Sequence, residues 1–425
     1  MLLKEEKKAV RAGEYDKDFE LLYGETAGPA ERYAGLCDAF AQMFGEERDI
    51  RFFSAPGRTE VGGNHTDHQR GRVLAGSVNL DVIAAVSANE DGIVRIQSAG
   101  YPLDTIDLKE LSPKEEETGR AASLIRGMCA RMRELGYQVS GFDAYTTSNV
   151  LKGSGLSSSA AFEVLIGVII SEMFNGGGAS PVEIAQAAQY AENVYFGKPC
   201  GLMDQMASSV GGFTAIDFAD PAKPVIEKVD FDFAHSGHKL CIVNTGGNHA
   251  DLTQDYADIT AEMGAVARMF DCKYLREVDE EAFFSRIAAV KKACGDRAAL
   301  RAIHFFADNQ RAADEAEALK KGDFAAFLRL INASGRSSYM YLQNVFSTSA
   351  PTEQGLSLAL CLSEGYLKDR GAFRVHGGGF AGTIQAFVPA DLLEGYRRLM
   401  DDVFGEGACH VLNIRTVGGY ALSKK

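Results

Sequence analysis

Residues 151–174 read "LKGSGLSSSAAFEVLIGVIISEMF": two closely spaced glycines, Gly153 and Gly155, then three consecutive serines, then an apolar run. The run is apolar almost all round, which marks a helix buried in a core rather than one lying on a surface. The stretch before it, "GFDAYTTSNV" (141–150), reads as a strand. A strand, a glycine turn and a buried helix in that order put free backbone N–H groups and hydroxyls at the positive end of a helix dipole, where an anion, phosphate above all, is favoured. The turn is no Walker A sequence, because Ser157–Ser159 stand where Lys-Ser/Thr would be. Plain capping of the helix by Ser157 or Ser158 would also explain the turn if it stood alone.

Working outward, apolar positions from Ala30 to Gly45 recur at helical spacing, and "IRFFSAPG" (50–57) is strand-like. A glycine-rich stretch, "GRTEVGGNHTDHQRGRVLAG" (57–76), is expected to begin where that strand ends. Strands follow over 73–89 and 92–100, then a helix over 121–136. Downstream, "PVEIAQAAQYAENVYFG" (181–197) is helical, with Ser180 as N-cap and Pro181 in the first turn. Residues 252–330 are helix-rich and charged. "AFRVHGGGFAGTIQAFVP" (372–389) reads as a strand, a second glycine turn and then a strand or short helix. The expectation is a mixed α+β chain of two domains, 1–215 and 216–425.

The 425 residues are 46% hydrophobic and carry a net charge of -14. Such a field repels nucleic acid and anionic membranes and steers anionic substrates poorly, so any phosphate must be held by a local device. The charged N-terminus lacks the apolar core of a signal peptide, and no apolar run approaches the roughly eighteen residues of a membrane span. Eight scattered cysteines without a Cys-x-x-Cys pair read as free thiols. A cytoplasmic protein is expected, with no nucleic acid, membrane or obligatory protein partner.

Three further features carry chemistry. His65, Asp67 and His68 have the residue types of metal ligands. Gly377–Gly379 form a glycine turn, and two such turns in one chain fit around one anionic ligand. Asp204, between apolar residues in "CGLMDQ" (200–205), is a carboxylate that needs a partner; Arg58 is the candidate, as a structural ion pair or as an ionised acceptor for a substrate proton.

Together, "PGRTEVGGNHTDHQRGRVLAGSVNLD", "GSGLSSSAA" and "HGGGFAGT" resemble the three signature motifs of the GHMP small-molecule kinases, and most nearly those of the galactokinases. The resemblance spans Pro56 to Thr383 in order and spacing. It implies a GHMP N-terminal domain and a ferredoxin-like α+β C-terminal domain, with ATP and Mg²⁺ as cofactors and a sugar as partner. The 57–76 stretch becomes a sugar clamp rather than a metal site. Arg58 and Asp204 match the catalytic pair, and Asn64, His65, Asp67 and Tyr256 match sugar-binding positions. Gly153, Ser154, Gly155, Leu156, Ser157, Ser158, Ser159 and Gly377, Gly378, Gly379 match the nucleotide site, and Ser159 and Glu192 match the magnesium ligands.

The sugar shell departs from the family pattern. Asn64 stands where the family has Glu, Glu60 where it has Asn, Leu151 where it has Pro, and Ile259 where an Arg often follows the tyrosine. The resemblance implies a sugar 1-kinase acting on galactose. Asn64 raises an alternative, a C6-modified sugar such as galacturonate, because it removes an acid that would repel a C6 carboxylate. A non-catalytic sugar sensor is a third reading, against which the intact "GLSSSAA", Glu192 and Asp204 weigh.

Overall fold

The computed structural model describes residues 2–151, 155–198, 200–247 and 252–424; Gly153 and Ser154 lie outside them. Strand β1 (Arg51–Gly62) pairs antiparallel with the long β2 (Arg72–Ala88). The second half of β2 pairs with β5 (Phe142–Ser148), which runs parallel to β3 (Ile93–Ser98); β3 pairs in turn with β4 (Leu103–Asp107). The first half of β2 instead pairs with β6 (Phe213–Asp217), and β6 with β7 (Val225–Val229).

Alternation along β1 and β2 buries both faces of this sheet. Phe52, Ile83 and Ala85 face the N-terminal helices Leu3–Arg11, Asp16–Tyr23 and Ala27–Phe44. Phe53, Ala84 and Val86 face the core that holds Ala121–Glu134 and Ser158–Phe174. The all-round apolar helix is buried as its composition requires.

β1 does not stop at the glycine-rich stretch as expected. It runs through Gly57 to Gly62, with register shifts between Pro56 and Arg58 and between Glu60 and Gly62. Irregularities of this kind bend and twist a strand without ending it, and they re-aim side chains beside sites.

A second sheet, ordered β11-β8-β10-β9, comprises β8 (His238–Asn244), β9 (Ala372–Val375), β10 (Thr383–Pro389) and β11 (Cys409–Leu412), all antiparallel. With helices between β8 and β9 and the helix Leu393–Phe404 between β10 and β11, this is the βαββαβ order of a ferredoxin-like unit. The helix-rich insert, including Thr253–Arg268 and Asp296–Lys320, lies between β8 and β9. Leu240 and Ile242 join the core under the first sheet, while Cys241 and Val243 face the helices Gly355–Leu367 and Leu393–Phe404. The last strand, β12 (Tyr420–Ala421), returns to pair with β1. The expected boundary at residue 215 falls inside β6; we propose instead a two-domain division in which the whole β6–β7 hairpin, to Val229, and β12 go with the first sheet.

All eight cysteines are free. No helix among the described residues is long and apolar enough to cross a membrane.

Candidate active site

The first and third motifs and the helix start meet in one place. A Cβ on Gly57 would come within 2.7 Å of Leu156 O, and one on Gly155 within 3.3 Å of the His376 ring. Glycine is what lets β1, the serine turn and the third-motif turn close on one another. The helix Ser158–Phe174 begins after Ser157, which holds the left-handed conformation (φ 59°), and no side chain caps it among the described residues. The Ser157 hydroxyl donates instead to Asp204 Oδ2. The first-turn N–H groups thus remain available to an anion, and the simple capping explanation is not the one the structure adopts.

Asp204 lies in the first turn of the helix Met203–Val210. Arg58 reaches its Oδ1 from both Nε and Nη2 at 2.7 Å, and Arg58 Nη1 donates to Gly155 O. Burial would raise the Asp204 carboxyl, but the Arg58 charge and the hydrogen bonds from Ser157 and Arg58 outweigh it and hold the group below its ordinary value. The aspartate is therefore ionised at neutral pH.

Beside this pair is a cleft of about 240 Å³ lined by Arg58, Glu60, His65, Asp67, His68, Cys200, Gly201, Met203, Asp204, Gly377 and Gly378. His65, in the left-handed region at φ 57°, donates from Nε2 to Gly378 O at 2.9 Å. Burial brings its pKa down to about 4, with neighbouring His68 acting in the same direction, so the ring is neutral. Asp67 Oδ1 accepts the backbone N–H of His68. Gly201 packs against Asp67, since a Cβ there would lie 2.9 Å from Oδ2.

Two expected sugar contacts are placed differently. Asn64 does not face the cleft. It is fully buried, its Nδ2 donating to Glu60 Oε1 (2.9 Å) and Gly377 O (2.8 Å), and its Oδ1 accepting from Asn344 (2.8 Å) and Ser338 (3.3 Å). Tyr256 stands behind the third-motif turn, its hydroxyl donating to Gly379 O at 3.0 Å and its ring against Gly378. Ile259 is a core residue with no exposure.

The other two arginines of the 57–76 stretch have partners of their own. Arg72 pairs with Asp217 at 2.8 Å, and Arg70 stacks on Tyr274 with its guanidinium 4.2 Å from the ring centre. Neither lines the cleft.

Glu192 lies in a π-helical turn, Ala191–Phe196, that continues the helix Pro181–Tyr190. Ser180 caps that helix reciprocally with Glu183, as its sequence indicates. Glu192 Oε2 accepts from Gln205 (2.8 Å) and Oε1 from Lys198 (3.1 Å). Gln205 also reaches Glu163 Oε2 at 3.3 Å. Glu163 Oε1 and Gln205 Oε1 are buried acceptors with no donor among the described residues, and burial beside Glu192 pushes the Glu163 carboxyl well up. The carboxylates of this acid-rich corner are the ligand type a hard cation such as Mg²⁺ takes, although Lys198, Gln205 and the Cys200 sulfur also stand there. No three His, Cys, Asp or Glu residues among those described are grouped to hold a metal by themselves. A magnesium ion that takes most of its ligands from phosphate and water needs only one or two side chains.

A helix start stripped of its cap, a second glycine turn and a ferredoxin-like half are together the features of a GHMP-type small-molecule kinase, and residues 123–212 match the GHMP kinases N terminal domain. Residues 38–88 match the galactokinase galactose-binding signature. The galactokinase of Streptomyces coelicolor is 30% identical over 86% of this chain and 92% of its own length. That of Actinobacillus pleuropneumoniae is 31% identical over 82% of this chain and 88% of its own. Lactococcus lactis galactokinase, solved in complex with galactose, superposes with a TM-score of 0.75 at 25% identity, covering 92% of this chain and 99% of that one. A mevalonate kinase shares the fold at 13% identity and a TM-score of 0.61. The chain belongs to the galactokinase family.

Some site residues escaped the sequence reading. Glu60 stands out in the sequence only as a departure from the family pattern, yet it lines the cleft, as do Cys200 and Gly201; His68, which the sequence offers as a metal-ligand type, lines it too. Gln205 and Lys198 hold Glu192. For Gln205 and Cys200 the available signal was their place beside Asp204 in "CGLMDQ".

Proposed function

We propose that this protein transfers the γ-phosphoryl group of ATP to the anomeric hydroxyl of galactose, giving galactose 1-phosphate and ADP. The observation that carries this reading is Asp204 itself: an ionised carboxylate, gripped by Arg58 on one oxygen and Ser157 on the other, at the junction of the sugar cleft and the uncapped helix. The galactose-binding signature over 38–88 supports the choice of sugar.

In this reading Arg58 and Asp204 orient the anomeric hydroxyl, and Asp204 accepts its proton or stabilises it electrostatically as the bond to phosphorus forms. His65 and Asp67 hold other sugar hydroxyls. Gly155 to Ser159 and Gly377 to Gly379 cradle the phosphates, with Gly153 and Ser154 in the same loop by sequence, and Tyr256 braces the third-motif turn. Ser159 and Glu192 would hold Mg²⁺, which neutralises phosphate charge when bound. Such a transfer depends on positioning and charge stabilisation more than on covalent chemistry. The free cysteines support a reducing, cytoplasmic setting.

The galacturonate alternative loses its basis. Asn64 is committed elsewhere, no unpaired cation among the described residues lines the cleft, and Glu60, Asp67 and Asp204 together disfavour a carboxylate there.

A coupled ADP-release assay with ATP, Mg²⁺ and galactose tests the function. Sugar-dependent ADP release is expected, with a rate for galacturonate at least tenfold lower. Galactose binding without ADP above the sugar-free control would mean a sensor instead.

A further inference from the structure

Glu60 is a carboxylate at the cleft wall that the mechanism above does not use. It is 6% exposed and is anchored from behind by one oxygen only: Oε1 accepts from Arg374 Nη2 at 2.7 Å and from Asn64 Nδ2 at 2.9 Å. Arg374 is fully buried and is itself fixed by Val61 O (2.6 Å) and Val375 O (3.1 Å). Asn64 is fixed by Gly377, Asn344 and Ser338. The carboxylate plane is thus set by partners that cannot easily move.

The other oxygen, Oε2, has no hydrogen-bond partner among the described residues, and it is not among the polar atoms sealed from solvent. Glu315 provides the contrast: both of its oxygens are unpartnered too, but they are enclosed in protein. Burial raises the Glu60 carboxyl, with the Arg374 guanidinium and the Asn64 amide opposing it; a rigidly held carboxyl oxygen left open toward a cleft is suited to a ligand hydroxyl, which can supply a proton to it.

Position indicates which part of the ligand it meets. Arg58, Thr59 and Glu60 pair in unbroken register with Ser77, Gly76 and Ala75, so Arg58 and Glu60 project from the same face of β1. Thr59, between them, points the other way, to Gln385 and His376. Two residues along a strand are roughly 6.5 Å, on the order of the span of a pyranose ring with its hydroxyls.

We propose that Glu60 is a specificity-determining sugar residue, its Oε2 accepting a hydrogen bond from a hydroxyl on the side of the ring away from C1, with Arg374 and Asn64 as positioning residues acting through it. This rests on the reading that the cleft holds a sugar beside Asp204. It assigns Asn64 a supporting part in hydroxyl recognition and gives the direct contact to Glu60.

The test compares galactose with 3-deoxy-, 4-deoxy- and 6-deoxygalactose as substrates of the wild type and Glu60→Gln, with KM for ATP and the thermal midpoint checking that each protein is intact. One deoxy sugar is expected to lose about 10- to 100-fold in kcat/KM with the wild type, the worth of a hydrogen bond to a charged group. With Glu60→Gln the loss on galactose should be similar, and the extra loss on that same deoxy sugar should shrink to threefold or less. If Glu60→Gln does not fold, Glu60→Asp keeps the charge for Arg374 while drawing the oxygens back by one methylene, and the same coupling is expected.

An intact variant that penalises every deoxy sugar in the same proportion as the wild type overturns the proposal. Failure of the wild type to phosphorylate galactose overturns the kinase reading instead, and the same coupling is then measured from sugar affinities by calorimetry. If galactose does not bind at all, both fall.

Discussion

Arg58 and Asp204, 146 residues apart in sequence, meet through Nε and Nη2 on a single oxygen, each at 2.7 Å. The contact leaves Oδ2 to the Ser157 hydroxyl, so the carboxylate is tied to β1 and to the start of the helix Ser158–Phe174 at once. Its charge is set by competition: burial acts to raise the carboxyl and the Arg58 guanidinium acts to lower it, and the guanidinium side prevails.

Asp204→Asn keeps the shape and removes the charge, so kcat is expected to fall by about 10²- to 10⁴-fold while nucleotide affinity stays within threefold. Arg58→Met removes the main influence that keeps the carboxyl low and leaves burial unopposed. Its kcat/KM should then decline toward acid from a higher pH than in the wild type, where the ionised form persists below the ordinary carboxylate range. Rate profiles from pH 4 to 8 read this directly, and coincident acid limbs would refute the electrostatic account.

Ser159 and Glu192 are expected to share the cation. Ser159→Ala and Glu192→Gln should each raise the Mg²⁺ concentration for half-maximal rate by roughly tenfold or more, with galactose KM little changed. A magnesium titration at saturating ATP checks this, and unchanged midpoints in both variants would remove these residues from the metal site.

Glu315 supplies a prediction about stability. It has no exposure, neither oxygen has a partner among the described residues, and burial with Asp308 nearby pushes its carboxyl well above the ordinary value. A carboxyl raised in the folded state keeps its proton where the unfolded chain has lost it. Its contribution is fully present below the unfolded value of about 4.3 and is lost as pH rises through the higher folded value. Glu315→Met, similar in length and without the acid, should therefore unfold at a higher temperature than the wild type at pH 8, by a few °C. The gain should shrink toward pH 4. Thermal scans at pH 4, 6 and 8 test the sign, and a gain that grows toward acid would contradict it.

What the sequence could tell about this protein followed from how local each signal was. The buried helix 158–174 and the capped helix after Ser180 rest on composition and on contacts three residues apart, so both were legible. The continuation of β1 through Gly57 was not, because it depends on pairing with β2 across bulges and not on β1's own residues. The β6–β7 hairpin and β12 join the first sheet through partners far away in the chain, which composition near residue 215 cannot reveal. Asp204 was legible as a carboxylate in apolar company needing Arg58. Asn64 looked like a clamp residue because it precedes His65, but its amide is satisfied by Asn344 and Gly377, 280 and 313 residues away. The same distance hid Glu60, whose anchor, Arg374, lies 314 residues on.

That network makes Asn64→Glu a discriminating substitution. If Asn64 met the sugar directly, an acid there would chiefly change the preference between galactose and C6-modified sugars. In the structure its Nδ2 is a donor to Glu60 Oε1 and Gly377 O, and a glutamate would turn a third acceptor toward those two. Two carboxylates would then compete for Arg374 in a site with almost no exposure. Burying an uncompensated charge costs several kcal/mol. The expected result is a lowered thermal midpoint and a loss of kcat/KM on galactose, with the discrimination against whichever deoxy sugar Glu60 reads reduced, because Asn64 acts through Glu60. Adding Glu60→Gln to Asn64→Glu removes the like charge and should recover part of the lost stability, because the new acid can pair with Arg374. An Asn64→Glu protein as stable as the wild type whose ratio of kcat/KM for galactose and 6-deoxygalactose changes by tenfold, and does so equally when Glu60→Gln is present, would show that residue 64 reads the sugar after all.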